Sequence, residues 1–266
     1  MNGQTAVVLT RDLNSVRTIV IHQPAKLNAL SGETALALRE ALEQAGADPA
    51  VRVVVLTGEG RAFCSGADLS GLTGAVSAPG LVQEHVERFF NPLVLTLRHL
   101  NKPVIAAVHG VAAGAGASLA LACDLRLCSE SASFVQIFSS VALVPDCGSA
   151  YFLPRLVGLG RAFELMAFAD RLGAAESLRL GLCQAVFTDD TFAAEVRTYA
   201  ERLAACPAHA LSLTKQLLNA ASEQTLEGTL GLEARWQQVA SEHWEHAEGL
   251  RAFGQKRPPD YRQRPL

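Results

Sequence analysis

Pro103-Val104-Ile105-Ala106-Ala107-Val108-His109-Gly110-Val111-Ala112-Ala113-Gly114-Ala115-Gly116-Ala117-Ser118-Leu119-Ala120-Leu121-Ala122-Cys123 holds one possible charge, His109. By length and polarity it could pass for a membrane span. The six glycines and alanines between His109 and Ala117 break it, so it reads as a buried strand, a glycine turn and a buried helix. The same theme recurs around it. Val51 to Leu56 is a continuous apolar run closed by Thr57-Gly58, the pattern of a strand covered on both faces, and Leu125 to Cys128 is another short strand. Strands alternating with helices specify an α/β domain.

Towards the N-terminus, Ala6 to Thr10 and Val16 to His22 flank the turn-prone Arg11-Asp12-Leu13-Asn14 and predict a hairpin. A helix over Ser31 to Gly46 follows, with Ser31 as N-cap, Glu33 in the first turn and Leu38, Leu42 and Ala45 on one stripe. Ser70 to Gly80, rich in Gly, Ser and Ala, predicts a mobile loop. Leu81 to Leu100 returns to helical spacing through Val82, Val86, Phe89, Phe90, Val94 and Leu97, kinked or broken near Pro92. Beyond Thr188 the pattern is purely helical, over Asp189 to Ala205, Ala208 to Ala221 and Thr225 to Phe253. With no strand of its own to pack on, that tail is expected to be an assembly element or lid. The expected division is an α/β core over 1–188 and a helical region over 189–266.

The 266 residues are 49% hydrophobic and 18% charged, which excludes a disordered, collagenous or disulfide-scaffold chain. Twenty-six acidic and twenty-three basic side chains give a net charge of −3, so no basic field exists to hold nucleic acid or anionic lipid. Six scattered cysteines without a C-x-x-C pair predict reduced thiols. No basic stretch precedes an apolar one near the N-terminus, and a cytoplasmic protein without a secretory signal is expected.

Two glycine-punctuated turns stand where chemistry could sit: Cys64-Ser65-Gly66-Ala67-Asp68-Leu69 and Gly110 to Ala117, each after an expected buried strand. Small residues there admit a ligand or a second backbone, and free N–H groups at a helix start polarise an oxygen placed against them. Taken singly, each reads first as a tight turn, and neither matches a dinucleotide or P-loop pattern. Asp146 is the one carboxylate in the otherwise uncharged stretch from Ser131 to Tyr151. A buried aspartate suits proton transfer in an apolar pocket, yet the residues alone favour a helix N-cap ahead of Cys147-Gly148-Ser149-Ala150. His243 and His246, flanked by Glu242 and Glu245, read as a solvated face without a third metal ligand. Cys147 has no histidine near it in sequence to activate it. Ser118 lacks the second glycine of a nucleophile elbow.

Four further segments carry a resemblance: His22-Gln23-Pro24-Ala25-Lys26-Leu27-Asn28-Ala29-Leu30, Phe63 to Leu69, Lys102 to Gly110, and Glu248-Gly249-Leu250-Arg251-Ala252-Phe253 with Lys256-Arg257. In order and spacing they resemble the crotonase (enoyl-CoA hydratase/isomerase) superfamily from about residue 5 to 257. The resemblance implies a crotonase-like spiral of ββα units with a C-terminal helical trimerisation region, assembled as a homotrimer or a hexamer of two trimers. It implies an acyl-CoA thioester substrate whose carbonyl oxygen accepts the N–H groups of Ala67 and Ala115. CoA is part of that substrate, and no cofactor or metal is expected. Lys26, Leu27, Ala29, Ala67, Asp68 and Leu69 would line the CoA groove, and Phe253 and Lys256 would reach it from a neighbouring subunit.

Where hydratases of the family carry two glutamates, this sequence has Ser118 and Phe138. Those two and Phe89 would line the acyl pocket. A lone aspartate at the position of Asp146 resembles the branch that isomerises the ring epoxide of phenylacetyl-CoA. Some dienoyl-CoA isomerases and a chlorobenzoyl-CoA dehalogenase also place an aspartate near here. The expected function is therefore an acyl-CoA isomerase with Asp146 as proton carrier. The alternatives are a hydratase or dienoyl-CoA isomerase of fatty-acid breakdown, or a non-catalytic scaffold of this fold.

Overall fold

The computed structural model describes residues 6–68 and 79–262. Leu69 and the expected Ser70 to Gly80 loop, apart from Pro79 and Gly80, lie outside the described residues. The chain begins with β1 (Val8–Leu13) and β2 (Val16–Ile21), antiparallel, Val8 opposite Ile21 and Leu13 opposite Val16. The turn is Asn14-Ser15, at φ 50° and 64°, and not Arg11 to Asn14. A two-residue hairpin turn needs φ above zero at both positions. Arg11 and Asp12 stay in the strand, where Asp12 accepts two hydrogen bonds from Arg17.

α1 (Gly32–Ala47) follows, Ser31 accepting the Thr34 N–H as its cap. β3 (Val53–Gly58) and β4 (Ala62–Cys64) lead into α2 (Leu81–His85), a π-helical turn over Val86–Phe90 and α3 (Asn91–His99). The expected break near Pro92 is this π-turn. Pro92 itself lies in the first turn of α3, where its missing N–H is harmless. Next come β5 (Val104–Val108), β6 (Val111–Ala113), α4 (Ala115–Ala122), β7 (Leu125–Ser129) and β8 (Ser133–Val135). A 3-10 turn over Ile137–Val141 precedes α5 (Ser149–Val157), α6 (Leu159–Phe168), β9 (Leu172–Gly173), α7 (Ala174–Arg179) and β10 (Ala185–Phe187).

The large sheet runs β1-β2-β3-β5-β7-β10 and is parallel from β2 onward. The small sheet runs β4-β6-β8-β9, parallel except for its last pair. Three times in succession a strand of the large sheet passes into a short strand of the small one and then into helix: β3 to β4, β5 to β6, β7 to β8. This is the ββα spiral, and α4, all eight residues buried, runs through its centre.

The helical tail is α8 (Phe192–Ala204), α9 (Ala208–Ala221), α10 (Leu226–Ser241) and α11 (Trp244–Gly254). Its first helix corrects the sequence reading. α8 lays Phe192, Val196, Ala200 and Ala204 against Val53, Val55, Ile105 and Leu127 on the outer sheet face, so it does have strands to pack on. α9 is tied to the core by Lys215, buried, whose ammonium pairs with Asp124 at 2.8 Å and donates to the carbonyls of Leu97 and Lys102. α10 buries no residue, and Leu226, Leu230, Leu250 and Phe253 stand exposed along α10 and α11.

The expected solvated face holds for Glu242 and His246, which are exposed, and fails at Glu245. Glu245 is buried and accepts the Ala208 and His209 N–H groups at 3.0 Å each, capping α9. His243 caps α11 and stacks on His209 at 4.2 Å. Among the described residues no group of three His, Cys, Asp or Glu side chains could hold a metal ion, and no helix is long and apolar enough to cross a membrane.

Candidate active site

The segment leaving β4 is held by a parallel bridge between Leu30 and Ala67. Leu30 N–H donates to the Gly66 carbonyl at 2.8 Å and Asp68 N–H to the Leu30 carbonyl at 2.9 Å. Residues 66 and 68 therefore use their polar groups on Leu30, and the N–H of Ala67 points to the opposite side. On that side lies the turn into α4. Gly66, at φ +103°, comes so near it that a Cβ would stand 2.9 Å from the Ala113 carbonyl oxygen and 3.7 Å from the Ala115 nitrogen. A Cβ on Gly116 would stand 2.4 Å from the Cys64 carbonyl oxygen.

Ala115 opens α4, so its N–H has no carbonyl within the helix to reach. Among the described residues neither the Ala67 nor the Ala115 N–H donates to a backbone carbonyl. The two turns singled out in the sequence thus meet and leave two free donors side by side, a setting for an oxygen that gains negative charge.

A second segment runs alongside. Leu27 and Asn28 take left-handed backbone, φ 52° and 58°. The buried Asn28 side chain accepts from Gln23 N–H and donates to the carbonyls of Glu59 and Ala62. Ser65 N–H donates to the Leu27 carbonyl and Lys26 pairs with Asp68 at 2.7 Å. Lys26, Leu27 and Ala29 are so brought beside Ala67 and Asp68. Asn28 is the residue that fixes this approach, and sequence reasoning did not single it out. A left-handed Asn between leucine and alanine was the available signal.

Asp146 sits in the turn before α5, and the cap reading fails there. The N-cap of α5 is Gly148, with no side-chain cap. Asp146 contributes only its backbone carbonyl, to Ser149 N–H. Its carboxylate oxygen Oδ1 is buried and has no hydrogen-bond partner among the described residues. Burial raises the proton affinity of this carboxyl above the ordinary aspartate range, while the Cys147 thiol, the residue's own N–H and the charge of His85 pull it back down. Cys147 is pushed up by burial and by Asp146, which favours the protonated thiol and agrees with the absence of an activating histidine near it in sequence. It also feels Cys64, pushed up to about 12 by burial. Cys64 abuts Gly116, and Cys64, Ala115 and Cys147 belong to one buried core cluster.

Phe138 is buried, its ring tip 3.9 Å from where a Gly114 Cβ would stand. Ser118 is fully buried and donates to the Gly114 carbonyl at 3.1 Å. No carboxylate occupies either position. Phe89 is half-buried on the π-turn, against Gly32. Its neighbour His85, missed in the sequence, lies 4.9 Å from it ring to ring. Phe253 is 86% exposed at the end of α11, and Lys256 is exposed at φ +53° just beyond. Arg257 beside Lys256 clamps the buried Glu248 and pulls it down to about 2.

Two cavities open elsewhere. One of about 420 Å³ lies between α8 and the outer sheet face. Another of about 450 Å³ lies between α3, α5 and α9, and Gly148 in its wall joins it to the Asp146 turn. None of Ala67, Ala115 and Asp146 lines either cavity.

Residues 11–264 match the family model described as enoyl-CoA hydratase/isomerase. The chain is 40% identical over 256 residues to the 1,2-epoxyphenylacetyl-CoA isomerase of Escherichia coli (strain K12), covering 96% of this chain and 97% of that protein. It is 40% identical over 244 residues to a probable enoyl-CoA hydratase of Rhodobacter capsulatus, covering 91% and 93%. The crystal structure of a putative enoyl-CoA hydratase from Streptomyces coelicolor A3(2) superposes with a TM-score of 0.91 at 38% identity, covering 98% of this chain and 96% of that one.

The crowding at Gly116 yields a prediction. Gly116→Ala drives a methyl group into the Cys64 carbonyl and must push α4 away from β4, so it should lower unfolding stability by about 1–3 kcal/mol and depress acyl-CoA turnover. Gly231→Ala in α10, where nothing stands within 4 Å, should be neutral or stabilising, by up to about 1 kcal/mol. Denaturant midpoints of the two variants check this. Equal behaviour would contradict it.

Proposed function

The chain belongs to the enoyl-CoA hydratase/isomerase family of the crotonase superfamily, and on that premise we propose that it is an acyl-CoA isomerase that relocates a proton through Asp146. The observation that carries the reading is the buried, unpartnered Oδ1 of that carboxylate, next to turns that leave the Ala67 and Ala115 N–H groups free. The thioester oxygen binds between those two donors. Asp146 takes a proton from a carbon conjugated with the thioester, and the C–H electron pair passes into an enolate whose oxygen gains the charge. The same carboxyl then returns the proton to another carbon and the thioester carbonyl reforms. Each donor of an oxyanion hole contributes about 3 to 4 kcal/mol to such a step. The reaction needs no cofactor beyond the CoA of its substrate.

The likeness to the Escherichia coli enzyme supports a ring-epoxide of phenylacetyl-CoA as substrate, rearranged to the seven-membered oxepin, with enoyl-CoA double-bond shift as the related reaction. Phe138 and Ser118 favour isomerisation over hydration, since they offer no second carboxylate to position and split water. The CoA groove is proposed along Lys26, Leu27, Ala29, Ala67, Asp68 and Leu69.

Asp146→Asn keeps the shape and removes the base. Isomerisation should fall by roughly 10² to 10⁴-fold, with acyl-CoA binding kept. In the wild type the rate should climb with pH as Asp146 loses its proton, with a midpoint above the ordinary aspartate value. Crotonyl-CoA hydration should be far slower than the shift of a 3-enoyl-CoA double bond. Steady-state kinetics check all three, and an Asn variant within about threefold of wild type would contradict the assignment.

We also propose that a neighbouring copy covers Leu226, Leu230, Leu250 and Phe253, and that Phe253 and Lys256 serve that neighbour's CoA. Apolar surface of this kind is not left in water. Light scattering should give a trimer or hexamer, and a monomer at micromolar concentration would contradict it.

A further inference from the structure

α11 ends in a bend that glycine ordinarily fills. Its C-cap is Gln255, and the next two N–H groups fold back on the helix, Lys256 donating to the Phe253 carbonyl at 3.2 Å and Arg257 to the Ala252 carbonyl at 3.1 Å. That pair of bonds requires left-handed backbone at the first residue past the cap, where glycine is usual. Here the residue is Lys256, at φ +53°. A side chain in that conformation is costly, and it persists only where the surroundings over-determine it.

The surroundings are a clamp built on Glu248, buried earlier in α11. Its two carboxylate oxygens accept hydrogen bonds from Arg257 at 2.7 and 3.1 Å, and one of them a third from the Asp260 N–H at 3.1 Å. Arg251 stands 3.5 Å away. Across the bend, Arg257 Nε donates to the Gln255 side chain at 2.7 Å. One residue after Glu248, the Tyr261 hydroxyl comes within 3.0 Å of where a Gly249 Cβ would stand. The segment over 257–261 is thus laid back along α11. Arg257 and the Asp260 N–H hold the Glu248 carboxyl down at about 2, so the clamp stays charged through the ordinary carboxylate range. What it leaves outside is Lys256, exposed and in no ion pair among the described residues, with the exposed Phe253 three residues before.

We propose that Glu248 is a positioning residue for the CoA end of the substrate: through Arg257 and the chain beyond, it fixes the left-handed bend that presents the Lys256 ammonium to the phosphates of an acyl-CoA. The proposal rests on the reading of Lys256 as a contact of a neighbouring copy's CoA. A lysine meets phosphate as a point charge, and a bend already fixed spares the ordering cost that a loose terminal segment would pay on binding.

The test is calorimetric titration with butyryl-CoA, which has no double bond to shift, and with butyryl-pantetheine, which has no phosphate. Glu248→Gln keeps the shape and loses the charge that holds Arg257. It should weaken butyryl-CoA binding by roughly three- to tenfold and leave butyryl-pantetheine binding as it is. Arg257→Gln should do the same from the half-buried side of the clamp, and serves if Glu248→Gln does not fold. In a Lys256→Ala background Glu248→Gln should weaken binding no further, because what it positions is gone. Lys256→Gly should unfold in denaturant no earlier than wild type, since glycine takes the bend without strain, and still bind butyryl-CoA less tightly. Equal losses for both ligands would overturn the proposal, as would additive effects of Glu248→Gln and Lys256→Ala. If Lys256→Gly binds butyryl-CoA as wild type does, Lys256 serves no CoA and both readings fall. If Lys256→Gly weakens binding while Glu248→Gln and Arg257→Gln do not, the positioning role alone falls.

Discussion

Two glycines without room for a Cβ set the geometry on which the cleft depends. Gly66 approaches the Ala113 carbonyl and Gly116 approaches the Cys64 carbonyl, and any side chain at either place would force the turns apart. That contact brings the Ala67 and Ala115 N–H groups near each other, and neither donates to a backbone carbonyl among the described residues. The two parallel sheets supply the frame, since β4 and β6 run side by side and deliver the two turns at the same end. The bridge to Leu30 then fixes which way Ala67 points.

The carboxylate obeys a different constraint. Oxyanion donors are most effective when water is excluded, and water exclusion raises the proton affinity of Asp146. The Cys147 thiol and the Asp146 N–H temper that rise without cancelling it. Phe138 and the buried Ser118 add no acid or base of their own. On the proposed reading, one proton carrier and one oxyanion hole suffice to move a proton between carbons, without a second carboxylate to activate water.

Much of this was legible in the sequence because burial leaves a strong pattern. The strand, turn and helix over 103–123 follow from apolar runs broken by glycine, and Ser31 capped its helix as its residue type required. What escaped depended on tertiary contacts. β4, β6, β8 and β9 are two or three residues long and exist through pairing with one another. The hairpin turn moved to Asn14-Ser15 because the Asp12–Arg17 pair belongs to the strands. α8 was read as having no strand to cover, although the both-faces-buried run at Val53 required such a cover. Asp146 looked like a cap because its spacing fits one, and only the left-handed Gly148 shows that the helix begins without it.

The central claim is that Asp146 carries the proton, and isotope exchange tests it most directly. Wild type and Asp146→Asn are incubated with an enoyl-CoA in D2O and the acyl chain is followed by mass spectrometry. The account predicts that the wild type places solvent deuterium on the acyl carbons between which the proton moves, and that the variant does not. Deuterium entering at the same rate with Asn at position 146 would contradict it.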